Sequence, residues 1–237
     1  MEPAEYVLMD AAEDHMWWYR ALHVRLSDAL DGCRGDVLDA GCGTGGFLSV
    51  LRARRPDLVR FGVEWNEAAA VRARGKSAAA VARGSVNRLP FADGSFDAAV
   101  SADVLCHAEV DPPVALAELK RVLRPGGRLI LNLPAYQWLL SAHDRHVHNS
   151  RRFTAPAAGV MLRRAGFDRV RARYWNGLLL PLMIVQRKIL ARDDVGSDVA
   201  AFPPWLDVTL HAMTKLESHL PVPLPAGGSV LATAEKP

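Results

Sequence analysis

A glycine-rich turn between an apolar run and an amphipathic segment constrains this chain more than any other feature. The stretch 36–46 reads Asp-Val-Leu-Asp-Ala-Gly-Cys-Gly-Thr-Gly-Gly, and apolar residues at helical spacing follow it in 47–51. This pattern predicts a strand, a tight turn and the start of a helix. Glycines let such a turn bring its backbone N–H groups close to a ligand, because no Cβ stands in the way. We therefore expect an α/β protein that binds a cofactor at this turn.

The acid that precedes the glycines distinguishes between two classes of cofactor. Gly41, Gly43 and Gly46 match the G-x-G-x-x-G spacing of dinucleotide-binding proteins, and Glu64 stands near the distance expected for an acid that binds the ribose. A pyrophosphate would be repelled by the carboxylate of Asp39, whereas an ammonium group would be attracted by it. The turn therefore favours a cofactor with a cationic group, and an NAD-dependent oxidoreductase remains the less favoured alternative.

The turn and the segments that follow it resemble the class I S-adenosylmethionine (SAM) dependent methyltransferases of the bacterial small-molecule type. The run Asp39-x-Gly41-x-Gly43-x-Gly45 is similar to motif I of that family. Three further segments that resemble the family are Gly84 to Asp97 with its Leu-Pro-Phe sequence, Asp103-Val104-Leu105-Cys106-His107, and the Leu-Arg-Pro-Gly-Gly turn at 123–127. They occur in the order and spacing of the family and cover 36–135. In the second segment Cys106 replaces an acid, and we interpret it as a small buried residue.

The resemblance implies an α/β fold, namely a Rossmann-like three-layer sandwich around a mostly parallel seven-stranded sheet. The implied strand order is 3-2-1-4-5-7-6, with the last strand antiparallel. We expect a single domain with an N-terminal helical lid (1–35), a core (36–175), a helical cap insert (176–226) and the last strand (227–237). Apolar patterning predicts strands over 59–63, 96–102, 128–133, 169–174 and 229–235, and helices over 10–31 with Asp10 as N-cap, 114–123, 154–166, 178–190 and 203–220.

The second strand and its neighbours supply most of the expected cofactor contacts. Glu64 ends this strand, where a carboxylate can accept both ribose hydroxyls; the alternative is a helix N-cap. Trp65 can cover the adenine face. Ser85 stands where the family usually has an acid that accepts the adenine amino group, and a neutral hydroxyl is the weaker acceptor. The predicted cofactor-binding residues are Asp39, Gly41, Cys42, Gly43, Gly45, Glu64, Trp65, Ser85, Val86 and Asp103.

The acceptor pocket is expected to be built by the first helix, the histidine-rich stretch 134–152 and the insert 176–226, and His107 at the end of the fourth strand is either a wall of the cofactor pocket or a base. A histidine with a pKa of about 6.5 can accept a proton at neutral pH. We expect Asp144 to orient an imidazole and Arg152 to hold an anionic group of the acceptor. The predicted catalytic residues are His107, His143 and His148, and the predicted acceptor-binding residues are Trp18, Tyr19, Tyr136, Asp144 and Arg152. A helix that merely docks on the domain and a solvated loop remain alternatives. No metal site is predicted, because the histidine spacing matches none.

Composition limits the other classes of function. The chain has 237 residues and a formal net charge of +3, which is too small to indicate nucleic acid as a partner. Its three cysteines, Cys33, Cys42 and Cys106, are odd in number and widely spaced, so we expect reduced thiols and a cytoplasmic protein. The acidic N-terminus does not predict a signal peptide, and the longest apolar run, 178–185, is too short for a transmembrane segment.

The function that the resemblance implies is transfer of a methyl group from SAM to an oxygen, nitrogen or carbon nucleophile of a small molecule. S-Adenosylhomocysteine is then the second product, and the setting is the biosynthesis of a natural product or a glycan. The alternative is a SAM-binding protein of the same fold that transfers no methyl group, such as a cyclase or a non-catalytic subunit. The insert 176–226 is expected to be a cap over the acceptor, the contact of a homodimer or a patch that meets a membrane surface.

Overall fold

The computed structural model describes residues 3–141, 144, 146–187 and 203–237, and seven strands within them form one sheet. The strands are β1 (Gly35–Ala40), β2 (Leu58–Glu64), β3 (Ala80–Arg83), β4 (Phe96–Ala102), β5 (Leu123–Pro134), β6 (Asp168–Trp175) and β7 (Ser229–Glu235). Their order in the sheet is β3-β2-β1-β4-β5-β7-β6. The first five pair in parallel, and β7 lies antiparallel between β5 and β6. The predicted Rossmann-like fold and strand order are therefore confirmed.

Helices cover both faces of the sheet. They are α1 (Pro3–Ala12), α2 (Trp17–Ala29), α3 (Gly46–Arg54), α4 (Glu67–Ser77), α5 (Pro112–Val122), α6 (Ala155–Arg164), α7 (Leu180–Val185) and α8 (Pro204–Ser218). Leu38 of β1 belongs to the core cluster that contains Leu119 of α5 and Leu162 of α6. The next residue back, Val37, belongs to the cluster that contains Leu26 of α2. Successive residues of β1 thus face opposite helical layers, as expected for a strand buried on both sides. No helix of the described residues is long and apolar enough to cross a membrane.

The prediction of one helix over 10–31 is wrong, because a non-helical segment separates α1 from α2. Asp10 is not an N-cap; its carboxylate binds Arg72 and Lys76 of α4 at 2.8 and 3.2 Å. The backbone N–H of Trp17 donates to Oδ1 of Asp207 in α8 at 2.6 Å. The N-terminus of α2 is therefore capped by a residue 190 positions away. A cap from so distant a part of the chain has no local sequence signal.

Two other predicted boundaries differ from the structure. Strand β5 begins at Leu123 rather than at 128, because Leu123 pairs with Phe96 of β4 before the chain turns. Of the helix predicted over 178–190, the structure shows α7, and residues 188–190 lie outside the described part. Helix α8 does not bury its whole apolar stripe: Leu216 is 62% exposed, and the buried residues are Leu210, Thr214 and Glu217.

Glu217 fastens α8 to the chain that leaves β6. Its buried carboxylate accepts hydrogen bonds from the backbone N–H groups of Asn176, Gly177 and Leu178 at 2.6, 2.7 and 3.2 Å. Arg25 of α2 lies 3.7 Å from the same carboxylate. Backbone donors buried without a partner are costly, so this carboxylate stabilises an irregular segment that no strand or helix would satisfy.

Replacement of Glu217 by alanine should destabilise the protein strongly. Three backbone N–H groups would lose a charged acceptor, at about 1–3 kcal/mol for each buried donor left unpaired. The free energy of unfolding should fall by about 3 kcal/mol or more, and the melting temperature by about 6 °C or more. Glu67→Ala is the matched control, since Glu67 forms an exposed ion pair with Arg83 and should cost less than about 1 kcal/mol. Similar unfolding curves for the two variants would contradict the role of Glu217.

Candidate functional site

A cavity of about 910 Å³ lies at the carboxyl ends of β1, β2 and β4, between the sheet and helices α1 and α2. Most residues predicted from the sequence line it together: Trp18, Tyr19, Asp39, Gly41, Cys42, Gly43, Glu64, Trp65, Ser85, Val86, Asp103, His107, Asp144, His148 and Arg152. The structure thus brings the predicted cofactor and acceptor residues into one space. Gly45 and Tyr136 are not among its lining residues. His143 lies outside the described residues.

The glycine turn is shaped by positive φ angles at Gly41, Gly43 and Gly45. Gly41 has φ +87°, and a Cβ there would lie 2.3 Å from Cγ2 of Val104. Gly43 has φ +53°, in the left-handed region that favours glycine. The N–H groups of Gly41 and Cys42 both donate to the carbonyl of Val63, at 2.8 and 3.0 Å. The turn is therefore tied to the end of β2.

Gly45 was predicted to bind the cofactor, and the structure places it in a contact between two helices. It is the N-cap of α3, and a Cβ at this position would lie 2.8 Å from Cα of Ala73 in α4. Its small size thus serves the close packing of two helices outside the cavity.

Glu64 is buried and accepts three hydrogen bonds. Oε1 accepts from the hydroxyl of Tyr6 at 3.0 Å and from the N–H of Asn66 at 2.9 Å, and Oε2 accepts from the N–H of Gly43 at 3.0 Å. The N-cap of α4 is Asn66, whose Oδ1 accepts from the N–H of Ala69. Glu64 therefore does not act as the helix cap that was the alternative to its role as a ligand.

Asp39 is a buried carboxylate among other carboxylates. It is 3% exposed. Burial raises its pKa to about 8, and the negative charges of Glu64 and Glu13 act in the same direction. A cation beside Asp39 would favour its charged form and offset this repulsion. This end of the cavity is therefore suited to a positively charged group.

Asp103 is held by a polar chain that crosses the sheet. Both of its carboxylate oxygens lie 3.0 Å from Nδ2 of Asn132, and Oδ1 of Asn132 accepts from Nε1 of Trp175 at 2.8 Å. Burial raises the pKa of Asp103 to about 7, although the hydrogen bond from Asn132 acts the other way. Trp18 stacks on Trp175 with 6.2 Å between ring centres. The sequence analysis missed Asn132; its signal was one polar residue in the apolar run of β5.

Asp144 and Arg152, both predicted to bind the acceptor, bind each other at the wall of the cavity. Nη2 of Arg152 lies 2.8 Å from each carboxylate oxygen of Asp144, and both side chains are buried. Although burial alone would raise the pKa of Asp144, Arg152 holds it below its usual value. Two buried charges need each other as partners. Both carboxylate oxygens of Asp144 are therefore committed to Arg152, and the bidentate face of Arg152 is occupied by Asp144.

Two of the three predicted histidines can be placed. His107 is mostly buried, and burial lowers its pKa, so its imidazole is neutral at neutral pH. His148 has φ +59° and is partly exposed, with Nδ1 at 3.2 Å from Oε1 of Glu109. Between these segments Cys106 is fully buried, with Sγ 3.1 Å from the carbonyl oxygen of Asp103 and from Oδ1 of Asn149. Both histidines line the cavity, but in different surroundings.

Tyr136, which was predicted to bind the acceptor, is not among the residues that line the cavity. Its ring stacks on Trp138 and Tyr174, at 5.7 and 5.3 Å between ring centres. Burial and the hydrogen bond with Tyr174 raise its pKa to about 12. A positive φ of +58° at Tyr136 turns the chain after β5 and directs the ring to the edge strand β6. The residue therefore packs outside the cavity.

Helix α1 contributes residues that the sequence analysis missed. Tyr6, Met9 and Glu13 line the cavity beside the glycine turn. Glu13 accepts from Oγ1 of Thr44 and from Nζ of Lys76, at 2.7 Å each. The spacing of three and four residues between these side chains is typical of one helix face. That spacing was the available signal, and it was lost because the helix was predicted to begin at Asp10.

Replacement of Asp39 by asparagine should change how stability depends on pH. The carboxyl group ionises near its usual pKa in the unfolded chain but at about 8 in the folded one. The folded state then binds more protons between these values, so wild-type stability falls as pH rises through this window. The amide of the variant would not titrate. The difference in melting temperature between Asp39→Asn and wild type (variant minus wild type) should therefore increase from pH 5 to pH 8.5. Each kcal/mol of change in the free energy of unfolding corresponds to about 2–4 °C.

Asp97→Asn is the matched control for this pH dependence. Asp97 binds Arg124 and the N–H of Asp36, and its pKa is lowered despite some burial, mainly by the hydrogen bond from Arg124. This variant should lose stability near neutral pH and lose less at acidic pH, which is the opposite sign. A difference between Asp39→Asn and wild type that stays constant with pH would show that Asp39 has an ordinary pKa.

Comparison with known proteins adds sequence relatives to this geometry. A family model described as a methyltransferase domain matches residues 38–131. An uncharacterized 37.1 kDa protein in transposon TN4556 of Streptomyces fradiae is 37% identical over 181 residues, which cover 71% of this chain and 52% of that protein. The demethylmenaquinone methyltransferase of Beutenbergia cavernae is 40% identical over 120 residues, which cover 50% of this chain and 47% of the enzyme. The chain thus spans about half the length of these relatives.

Solved structures share the fold. A SAM-dependent methyltransferase from Thermotoga maritima superposes with a TM-score of 0.64 and 22% identity, over 99% of this chain and 96% of that one. The geranyl diphosphate C-methyltransferase of Streptomyces coelicolor, solved with Mg²⁺, geranyl diphosphate and S-adenosylhomocysteine, gives a TM-score of 0.60 and 16% identity, over 92% and 79% of the two chains. At such identities the likeness establishes the architecture alone.

Proposed function

Because the chain belongs to the class I SAM-dependent methyltransferases, whose cofactor is SAM, we propose that it transfers a methyl group to an oxygen, nitrogen or carbon nucleophile of a small molecule. The observation that carries this proposal is the composition of the cavity. Its acidic end, with Asp39 and Glu64, opens into an end lined by aromatic and apolar side chains. One space can thus hold a cationic cofactor beside an uncharged acceptor.

The residues at the acidic end fit SAM. Asp39, with a pKa raised to about 8 by burial, would bind the ammonium of the methionine part and become fully charged. Glu64 would accept the ribose hydroxyls. Trp65, which is 70% exposed at the rim, would cover the adenine ring, and Ser85 with the N–H of Val86 would meet its polar edge.

The other end of the cavity supports an acceptor with an extended apolar body. Trp17, Trp18 and Tyr19 of α2 line the cavity. Demethylmenaquinone, for which one relative is named, is a compound of this kind.

The protein's part in the reaction is to position the acceptor and to exclude water. Bound SAM supplies a methyl group that its sulfonium already makes electrophilic. The aromatic wall of α2 would hold the acceptor nucleophile close to this group and in line with it. Positioning alone can lower the activation barrier by about 7–11 kcal/mol. Where the nucleophile must lose a proton, His107 at the end of β4 would accept it, because its imidazole is neutral and lines the cavity.

A homodimer through the insert 176–226 remains a prediction. Trp205 and Val208 of α8 are 70% and 64% exposed, and with Leu216 they give this helix an apolar outer face. Light scattering at several protein concentrations, compared with that of Trp205→Asp, measures whether this face joins two copies.

One calorimetric series tests the cofactor. Wild-type protein should bind SAM and S-adenosylhomocysteine and should not bind NAD. Labelled SAM incubated with a panel of apolar acceptors then tests transfer, through a methylated product and an equal amount of S-adenosylhomocysteine. Binding of SAM without transfer to any acceptor would favour the non-transferring alternative, and binding of NAD alone would overturn the proposal.

Replacement of Glu64 by glutamine should weaken SAM binding at least about tenfold. The variant keeps the size of the side chain but loses the charge that strengthens its hydrogen bonds to the ribose, each worth about 1.5–3 kcal/mol. Titration calorimetry measures the dissociation constant. Glu67→Gln is the matched control, because Glu67 lies nearby on α4 and does not line the cavity. Wild-type affinity in Glu64→Gln would refute the ribose assignment.

Alanine replacement of His107, His143 and His148, one at a time, tests the base once an acceptor is known. Loss of a general base should lower turnover by about 10²–10⁴-fold and leave SAM binding intact. A histidine that only shapes the acceptor pocket should chiefly raise the KM of the acceptor. We expect the larger effect on turnover for His107→Ala. Nearly full turnover in all three variants would mean that positioning alone drives the transfer.

A further inference from the structure

Helix α1 lies against the part of the cavity that binds the cofactor under the proposed function, on which this inference rests. A Cβ built on Gly43 would lie 2.7 Å from Cε of Met9. The carboxylate of Glu13 lies against Gly46 at the start of α3. At the N-terminal end of the helix, the hydroxyl of Tyr6 donates to Glu64 at 3.0 Å. The helix therefore crosses the glycine turn and reaches the acid at the end of β2.

The carboxylate of Glu64 has room for one more hydrogen bond. Two carboxylate oxygens offer about four acceptor positions. Asn66 and Gly43 occupy two through their backbone N–H groups, and Tyr6 occupies a third. Two ribose hydroxyls need two positions. One of the three existing contacts must therefore be given up when both hydroxyls bind.

Tyr6 makes the contact that can be released. Asn66 is the N-cap of α4, and its N–H lies at the junction of β2 and that helix. Gly43 belongs to the turn that the N–H groups of Gly41 and Cys42 tie to Val63. Tyr6 instead lies on a helix outside the sheet. Its hydroxyl keeps its proton, since burial and the charge of Glu64 raise its pKa, so it is a donor as a ribose hydroxyl would be.

We propose that the Tyr6 hydroxyl occupies a position on the Glu64 carboxylate that one ribose hydroxyl of the cofactor takes when the cofactor binds. Cofactor binding thus replaces the hydrogen bond from Tyr6 by one from the ribose. Tyr6 is thus a residue of the cofactor site that opposes binding. It satisfies a buried carboxylate when no cofactor is present, and it sets the affinity of the site below the value that Glu64 alone would allow.

Ion pairs at the C-terminal end of α1 determine how the exchange can occur. Nζ of Lys76 lies 3.2, 2.7 and 2.9 Å from carboxylate oxygens of Asp10, Glu13 and Asp14. Glu13 is also bound by Thr44 of the glycine turn. These contacts hold the C-terminal end of α1 on α4, so the end that carries Tyr6 is the one that moves away from Glu64.

Tyr6→Phe tests the exchange by titration calorimetry with SAM and S-adenosylhomocysteine. The variant loses the competing hydroxyl and keeps the ring, so both ligands should bind about tenfold tighter than to wild type. Tyr174→Phe is the matched control, because Tyr174 loses the same atom outside the cavity and should leave both affinities unchanged. In a Glu64→Ala background, Tyr6→Phe should leave both affinities unchanged, since no carboxylate remains for which the tyrosine and the ribose could compete.

A ligand with one ribose hydroxyl provides a second measurement. The 2′-deoxy analogue of S-adenosylhomocysteine can use the remaining position on Glu64 without displacing Tyr6. The affinity for this analogue should therefore increase by less than about threefold in Tyr6→Phe. Equal gains for both ligands, or unchanged or weaker binding of SAM by Tyr6→Phe, would overturn the exchange. Absence of SAM binding by wild type would overturn the proposed function itself, so the two failures are distinguishable.

Discussion

The carboxylate of Glu64 joins the elements on which the cavity depends. It ends β2, accepts from the backbone of the glycine turn, accepts from the first residues before α4, and accepts from α1. Three segments distant in sequence, namely α1, the glycine turn and the end of β2, therefore meet at one carboxylate. Because hydrogen bonds to a charged acceptor are about twice as strong as neutral ones, this single side chain orients the turn that the glycines make flexible. The shape of the cavity follows from that orientation.

Charge is distributed unevenly along the cavity. Asp39, Glu64 and Glu13 lie at the end beside the glycine turn, where burial and mutual repulsion make the ionised state of Asp39 costly. At the other end, Arg152 neutralises Asp144 inside the protein. The first arrangement stores an unfavourable interaction that a cation would relieve, whereas the second is already complete. This difference is the physical reason for assigning the cationic cofactor to one end and an uncharged acceptor to the other.

The acceptor end is built by contacts between distant parts of the chain. Asp207 caps α2, Glu217 binds the backbone after β6, and Trp175 supports both Trp18 and Asn132. Helix α8 therefore determines where the aromatic residues of α2 stand. Asn132 in turn holds Asp103 at the end of β4. Changes in the insert would be transmitted to the cavity through these buried polar groups, which cannot shift independently.

The sequence by itself determined the sheet and predicted which residues meet at the glycine turn. Strand order followed from a resemblance whose segments all lie at the ends of parallel strands, and the roles of Gly41, Gly43 and Glu64 depend on short-range geometry that a local pattern records. Only the tertiary structure decided that Asp144 takes Arg152 as its partner, that Tyr136 leaves the cavity, that α1 and α2 are separate helices, and that Tyr6 binds Glu64. The reason is physical. A polar side chain binds whichever partner the fold brings within about 3 Å, and the identity of that partner is set by long-range packing rather than by its neighbours in the sequence.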